Sequence, residues 1–244
     1  MLALLSKEIN SFLNSLIGYI VIIVFLVTIG LFLWVIPGGE MNILDSGYAT
    51  IEPLFVITPW VYLFLIPAVT MRLFSEENKT GTIELLLTKP LTELQVVIAK
   101  YLSGVILVLI SLLPTLIYYF TVYRYSLPLG NVDSGGTWGS YIGLFLLGAV
   151  FVSIGLFGSA LADNQVVAFI VALILCLVCF RGFESLAAIS PQGWLNNLFA
   201  NLSINAHYIS MSRGVIDTRD VVYFLSVILF FLMLTKIKLE SRKW

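Results

Sequence analysis

The chain reads as an all-α integral membrane protein that crosses the bilayer six times. Of its 244 residues, 59% are hydrophobic and only 11% charged, where soluble domains carry about 25% charged residues. Mean hydropathy is +1.01. The apolar residues gather into six runs, and a hydrocarbon core about 30 Å thick needs about 20 helical residues to cross. A β-barrel is excluded, because its strands would alternate apolar and polar residues and these runs do not.

Residues 1–15 place Leu2, Leu5, Ile9, Phe12 and Leu13 on one side, with Lys7, Glu8, Asn10 and Asn14 largely elsewhere. That spacing predicts an amphipathic helix lying on the membrane face. The first span covers about 16–36; it is too long for a signal core and ends in Ile36-Pro37-Gly38-Gly39 without a small-x-small cleavage site, so it is a retained anchor. A short loop with Glu40, Asp45 and Glu52 leads to the second span, about 54–71. An inner segment, 72–98, precedes the third span, about 101–119. A Gly-rich turn around Asp133-Ser134-Gly135-Gly136 closes onto the fourth, about 138–161. Only Ala162-Asp163-Asn164-Gln165 separates that from the fifth, 166–180, so these two are adjacent and antiparallel. The fifth run would cover only about 22 Å at 1.5 Å per residue. The segment 181–220 that follows repeats apolar residues at helical spacing (Leu195, Leu198, Phe199, Leu202, then Tyr208 and Met211), which predicts short interfacial or re-entrant helices before the last span, about 221–237.

With the N-terminus inside, nine Lys and Arg fall on the cytoplasmic side and four, Arg124, Arg181, Arg213 and Arg219, on the other. The excess places both termini in the cytoplasm.

The same residues exclude several kinds of chemistry. A net charge of −1 gives no basic surplus for nucleic acid. No GxxxxGK[ST] occurs, so no P-loop holds ATP on this chain, and no cofactor or metal is expected on it. His207 is the single histidine; pairing it with Ser159 as a hydrolase has no motif behind it, and it reads as an ordinary interfacial histidine. Cys176 and Cys179 form a CxxC inside an apolar helix, where a thiol is a small hydrophobe. Ionisable groups are nearly absent from the spans, which speaks against an ion-coupled carrier. The chain is therefore expected to be no enzyme, with its driving energy supplied from elsewhere; the alternatives are an ion-coupled secondary transporter and a non-transporting scaffold of a motility or secretion complex.

The inner segment is the informative one. Arg72 ends a span, Ser75–Asn78 reads as an acidic turn, Gly81 as a break, Leu85, Leu86 and Leu87 as the apolar side of a short helix, and Pro90 as its stop. Thr92-Glu93-Leu94-Gln95 has capping-box form and starts the next helix. Consecutive leucines on a cytoplasmic helix need a membrane face or a protein to cover them, which points to a docking element.

The run Glu76-Glu77-Asn78-Lys79-Thr80-Gly81-Thr82-Ile83-Glu84-Leu85-Leu86-Leu87-Thr88-Lys89-Pro90, followed by Lys100-Tyr101-Leu102, resembles the E-x(4)-G-T-x-E-x-L-L-x-x-P…K-x-L signature of ABC-2 type transporter permeases. The six spans, and Lys7-Glu8 with Phe12 ahead of Gly18-Tyr19-Ile20, extend the likeness over most of the chain. Within the family it most resembles the permeases associated with bacteroidete gliding motility. The resemblance implies an ABC-2 permease fold in a bacterial inner membrane. It also implies a coupling helix docked on a separate ATPase subunit that holds ATP and Mg, with Glu76, Glu77, Thr80, Gly81, Thr82, Glu84, Leu85, Leu86 and Pro90 contacting or shaping that interface. A second permease subunit is implied too, either heterologous with a large extracytoplasmic domain or a second copy of this chain, with membrane lipid around both.

Overall fold

Apolar runs without water must satisfy their own backbone, and helix is the only regular structure among the described residues. A computed structural model describes residues 1–37, 41–82, 92–189, 193–214 and 216–241. The helices are α1 (Leu2–Leu13), α2 (Leu16–Gly30, continued by a π-helical turn Leu31–Val35), α3 (Glu52–Thr70), α4 (Arg72–Thr80), α5 (Glu93–Leu112) and α6 (Leu116–Tyr125). They are followed by α7 (Ser134–Leu161), α8 (Gln165–Leu177, continued by a π-helical turn Val178–Gly182), α9 (Phe183–Ile189), α10 (Gly193–Leu202), α11 (Ile204–Ser212) and α12 (Thr218–Glu240).

Six runs are long and apolar enough to cross a membrane: Gly18–Val35, Glu52–Thr80, Glu93–Tyr125, Ser134–Leu161, Gln165–Ile189 and Thr218–Glu240. They alternate in direction. Met1 and Ser241 therefore lie at one end of the bundle, the near end, and α10 and α11 at the other, the far end.

Helix α7 is the axis. It packs against α3, α4, α5, α8, α11 and α12, and its small residues permit that crowding. A Cβ on Gly155 would lie 2.1 Å from Thr70 Oγ1, and one on Gly158 would lie 3.1 Å from the Ala172 backbone. Close backbone approach through small residues is how helices pack where lipid removes the hydrophobic drive. By contrast α2 leaves Tyr19, Ile20, Ile23 and Val27 exposed, and α12 leaves Val222, Leu225, Leu229 and Phe230 exposed.

Several readings of the sequence are revised. The acidic stretch after Arg72 is helical, because only Met71 interrupts the path from α3 into α4. The Gly-rich stretch is the first turn of α7, where the Asp133 carboxylate accepts a hydrogen bond from Gly136 N at 3.0 Å and supplies the cap that the glycines lack. The fifth apolar run does not end at Phe180. The π turn carries the helix on through Arg181 to Ile189, since Arg181 and Glu184 pair with each other at 2.7 Å and face a cleft. On α1 the buried side is Leu4, Glu8 and Phe12, one turn apart, while Leu2 is exposed. A charged residue therefore sits on the face that hydropathy alone would turn outward.

Candidate functional site

The near end is organised by a buried lysine. The capping box is formed: Thr92 Oγ1 accepts from Gln95 N at 3.3 Å, and Gln95 Oε1 accepts from Thr92 N at 3.1 Å. α5 thus begins at Glu93, and Lys100 lies two turns inside it rather than in a loop. Its side chain is 1% exposed. The ammonium donates to Glu8 Oε1 of α1 at 3.1 Å, to Glu77 Oε1 of α4 at 3.0 Å and to the Leu73 carbonyl at 2.6 Å. Lys7, on the rim, approaches Glu8 at 3.5 Å and Glu77 at 3.7 Å. All three protons of Lys100 are engaged, and two carboxylates meet two ammonium groups. Charge balance and a fully bonded ammonium make a buried ionic cluster tolerable, although Glu77 Oε2 is buried without a hydrogen-bond partner among the described residues.

α4 is held on its other sides as well. Ser159 of α7 is fully buried; its Oγ accepts from Phe74 N at 3.0 Å and Ser75 N at 3.1 Å and donates to the Met71 carbonyl at 2.7 Å. One hydroxyl thereby satisfies the backbone groups freed where the helix is interrupted at Met71. The Arg72 guanidinium lies 3.9 Å from the centre of the Phe12 ring and donates to Ser15 Oγ at 3.4 Å. α4 is thus tied to α1, α5 and α7 at once.

Of the residues expected at a docking surface, Glu76, Thr80, Gly81 and Thr82 are exposed at the tip of this assembly. Thr80 Oγ1 donates to the Glu76 carbonyl at 2.8 Å and lies 2.9 Å from Thr82 Oγ1. Gly81 ends α4 with φ +68, the left-handed geometry that glycine adopts most cheaply after a helix C-terminus. Glu76, Thr80 and Thr82 also line a polar cleft of about 420 Å3 together with Ser11 and Arg72. Glu77 turns away from the tip and into the Lys100 cluster. Glu84, Leu85, Leu86 and Pro90 lie outside the described residues. Sequence reasoning did not connect Lys100, Glu8, Arg72 and Ser159; the only signal was the position of Lys7-Glu8 and of Lys100 within the quoted likeness.

The far end holds His207 away from Ser159. Ser140 near the start of α7 contacts the Ser212 carbonyl at the end of α11. Ser159 lies 19 residues further along the same helix, about 28 Å at 1.5 Å per residue, so it is remote from His207 on α11. His207 instead bridges two elements: Nδ1 is 2.7 Å from Asp220 Oδ1 on α12, Nε2 is 2.9 Å from the Asn201 carbonyl oxygen of α10, and the ring stacks on Tyr223 at 3.9 Å. It works as a clamp.

Comparison with known families yields one finding. The family described as ABC-2 family transporter protein matches residues 2–237, nearly the whole chain. No curated protein matches.

Proposed function

The chain belongs to the ABC-2 transporter family, and from that premise we propose that it is the permease subunit whose segment 72–90 is driven by a separate ATPase subunit. In this reading ATP and Mg reside on the partner. Glu76, Thr80, Gly81 and Thr82 form the described part of the docking face, with Glu84, Leu85, Leu86 and Pro90 assigned to the same contact by their sequence. A push on this face is passed along α4. The Lys100 cluster moves α1 and α5 with it, and Ser159 moves α7. The bundle then changes between two packed arrangements, because tightly packed helices shift as units and do not deform continuously.

The observation that carries this reading is the clasp of Lys100 on Glu8, Glu77 and the Leu73 carbonyl, which ties α4, the described start of the expected docking segment, to α1 and α5. A flexible connecting loop would transmit nothing. The likeness of 76–90 to gliding-associated permeases supports a place in an envelope machine, beside a second and different membrane subunit.

Gentle detergent purification with identification of the attached chains tests the assignment. An ATPase and a second membrane protein are expected with the wild type, and Gly81→Trp is expected to lose the ATPase while the bundle stays folded. A Gly81→Trp variant that keeps its ATPase at full hydrolysis rate would refute the docking assignment.

A further inference from the structure

At the far end, between α3, α7, α11 and the π turn after α8, lies a cleft of about 570 Å3, within the few hundred to about 1,000 Å3 typical of small-ligand sites. It sits where the apolar spans end, since Glu52 and Asp133 at the heads of α3 and α7 are on its rim. One wall is apolar and aromatic: Phe55, Val56, Trp60 and Phe180, with Trp60 edge-on to Phe180 at 6.1 Å. Charged side chains of both signs make up much of the remaining wall: Arg181 and Arg213, with Glu52, Asp133 and Glu184.

The charged wall is held in place. Arg181 Nη1 donates to Glu184 Oε2 at 2.7 Å, and Asn205 Nδ2 donates to the same oxygen at 2.9 Å. Asn205 is 6% exposed, whereas the Arg181 and Glu184 side chains are 42% and 43% exposed. The guanidinium carbon stands 5.5 Å from the Trp60 ring. The described contacts engage only Arg181 Nη1 and Glu184 Oε2 of this half-exposed pair, and a guanidinium has five N–H donors to give. The π turn Val178–Gly182 is what puts Arg181 on this face, and such turns are rare and concentrate at functional sites. The floor is fixed by Tyr208, whose hydroxyl donates to the Phe55 carbonyl at 2.7 Å; burial pushes its pKa well up, so it remains a neutral donor.

We propose that this cleft binds a zwitterionic amphiphile: an oxyanion on Arg181, whose guanidinium is held over the Trp60 ring, an ammonium on Glu184, and an apolar tail along Val56, Phe55 and Phe180. A salt bridge with open valences on both partners pairs head to tail with a dipolar group. A phosphate accepts two parallel bonds from a guanidinium, and an ammonium is drawn to a carboxylate, while the indole face of Trp60 steadies the guanidinium itself. A purely anionic ligand would leave Glu184 repelled, and an uncharged sugar would use neither charge. The membrane source of this chemistry is a phosphatidylethanolamine headgroup; the water-soluble source is an amino acid or a glycerophosphoethanolamine. The proposal requires no ATPase and stands apart from the docking assignment.

The purified full chain in a polyoxyethylene detergent is titrated with dihexanoyl phosphatidylethanolamine, dihexanoyl phosphatidylglycerol, glycerophosphoethanolamine, leucine and maltose, with tryptophan fluorescence and the unfolding midpoint as readouts. Saturable binding of the ethanolamine lipid is expected, at least tenfold tighter than of the glycerol lipid. Glu184→Gln should erase that preference, Arg181→Gln should weaken both lipids tenfold or more, and Arg181→Lys should weaken them less. If Arg181→Gln does not fold, Trp60→Leu serves instead, with the same loss expected for the ethanolamine lipid. Equal affinity for the two lipids, wild-type binding by the variants, tailless ligands binding as tightly as the lipid, or maltose competing for the site would each overturn the proposal.

Discussion

The two ends of the bundle hold their charges differently. At the near end Lys100 is 1% exposed, has all its protons engaged and joins α5 to the preceding α4 and to the sequence-distant α1. At the far end Arg181 and Glu184 pair within one helical turn, stay more than 40% exposed, and keep valences open toward a cleft. A closed cluster of charge holds elements in register, and an open one is available to a ligand. Substitutions at the near end should therefore lower stability, and those at the far end should lower binding while stability holds.

The largest effect is expected at Lys100. Lys100→Met leaves Glu8 and Glu77 without their buried cation, with only the rim Lys7 near them at 3.5 and 3.7 Å, and breaking one side of a buried pair is worth about 3–5 kcal/mol. Chemical unfolding in mixed micelles measures it. The triple change Lys100→Met, Glu8→Gln, Glu77→Gln removes the charges together and should recover most of the loss, since whole buried pairs can be replaced at little expense. A triple variant as unstable as the single one would mean that the cluster is not an electrostatic unit.

Next is Ser159→Ala. It strips two backbone N–H groups, of Phe74 and Ser75, and the Met71 carbonyl of a buried partner. A loss of about 1–3 kcal/mol follows for leaving buried donors unmet. Amide exchange at Phe74 and Ser75 of α4 should rise before exchange in α3. If it rises uniformly, α4 is not separately braced by α7.

How much of this was legible depended on sequence distance. Hydropathy located the spans, and Thr92 with Gln95 announced the start of α5, because helix caps and apolar periodicity are local signals. The clasp was invisible for the opposite reason: Glu8 and Lys100 are 92 residues apart and Ser159 and Phe74 are 85 apart, and nothing local pairs them. Glu77 was assigned to the docking face with Glu76, since sequence alone does not say which of two adjacent acids points inward. The π turn at Val178–Gly182 leaves no mark in the sequence, so the apolar run reads as ending at Phe180, just before Arg181 and Glu184 of the cleft.

At the far end Glu184→Gln should cost less than about 1 kcal/mol, because a half-exposed ion pair contributes little in water. Unfolding midpoints of the variant and the wild type should coincide within error, in contrast to Lys100→Met. A loss of several kcal/mol would put Arg181 and Glu184 in the same structural role as the Lys100 cluster and erase the distinction between the ends.

The smallest effect on stability, and the sharpest test, concerns neighbours. Glu76 is exposed and Glu77 side chain is 13% exposed on Lys100, so one helical step of about 100° separates a solvated carboxylate from a buried one. Glu76→Ala should change the unfolding free energy by less than about 0.5 kcal/mol, as surface substitutions usually do, yet reduce ATPase co-purification severalfold. Glu77→Ala should do the reverse in order: stability falls first, and assembly falls because the clasp has loosened. Titrating both variants with denaturant and scoring ATPase retention at matched fraction folded separates the two. If Glu76→Ala retains its ATPase fully, the docking face lies beyond Thr82, in the residues that follow, and α4 acts only as their support.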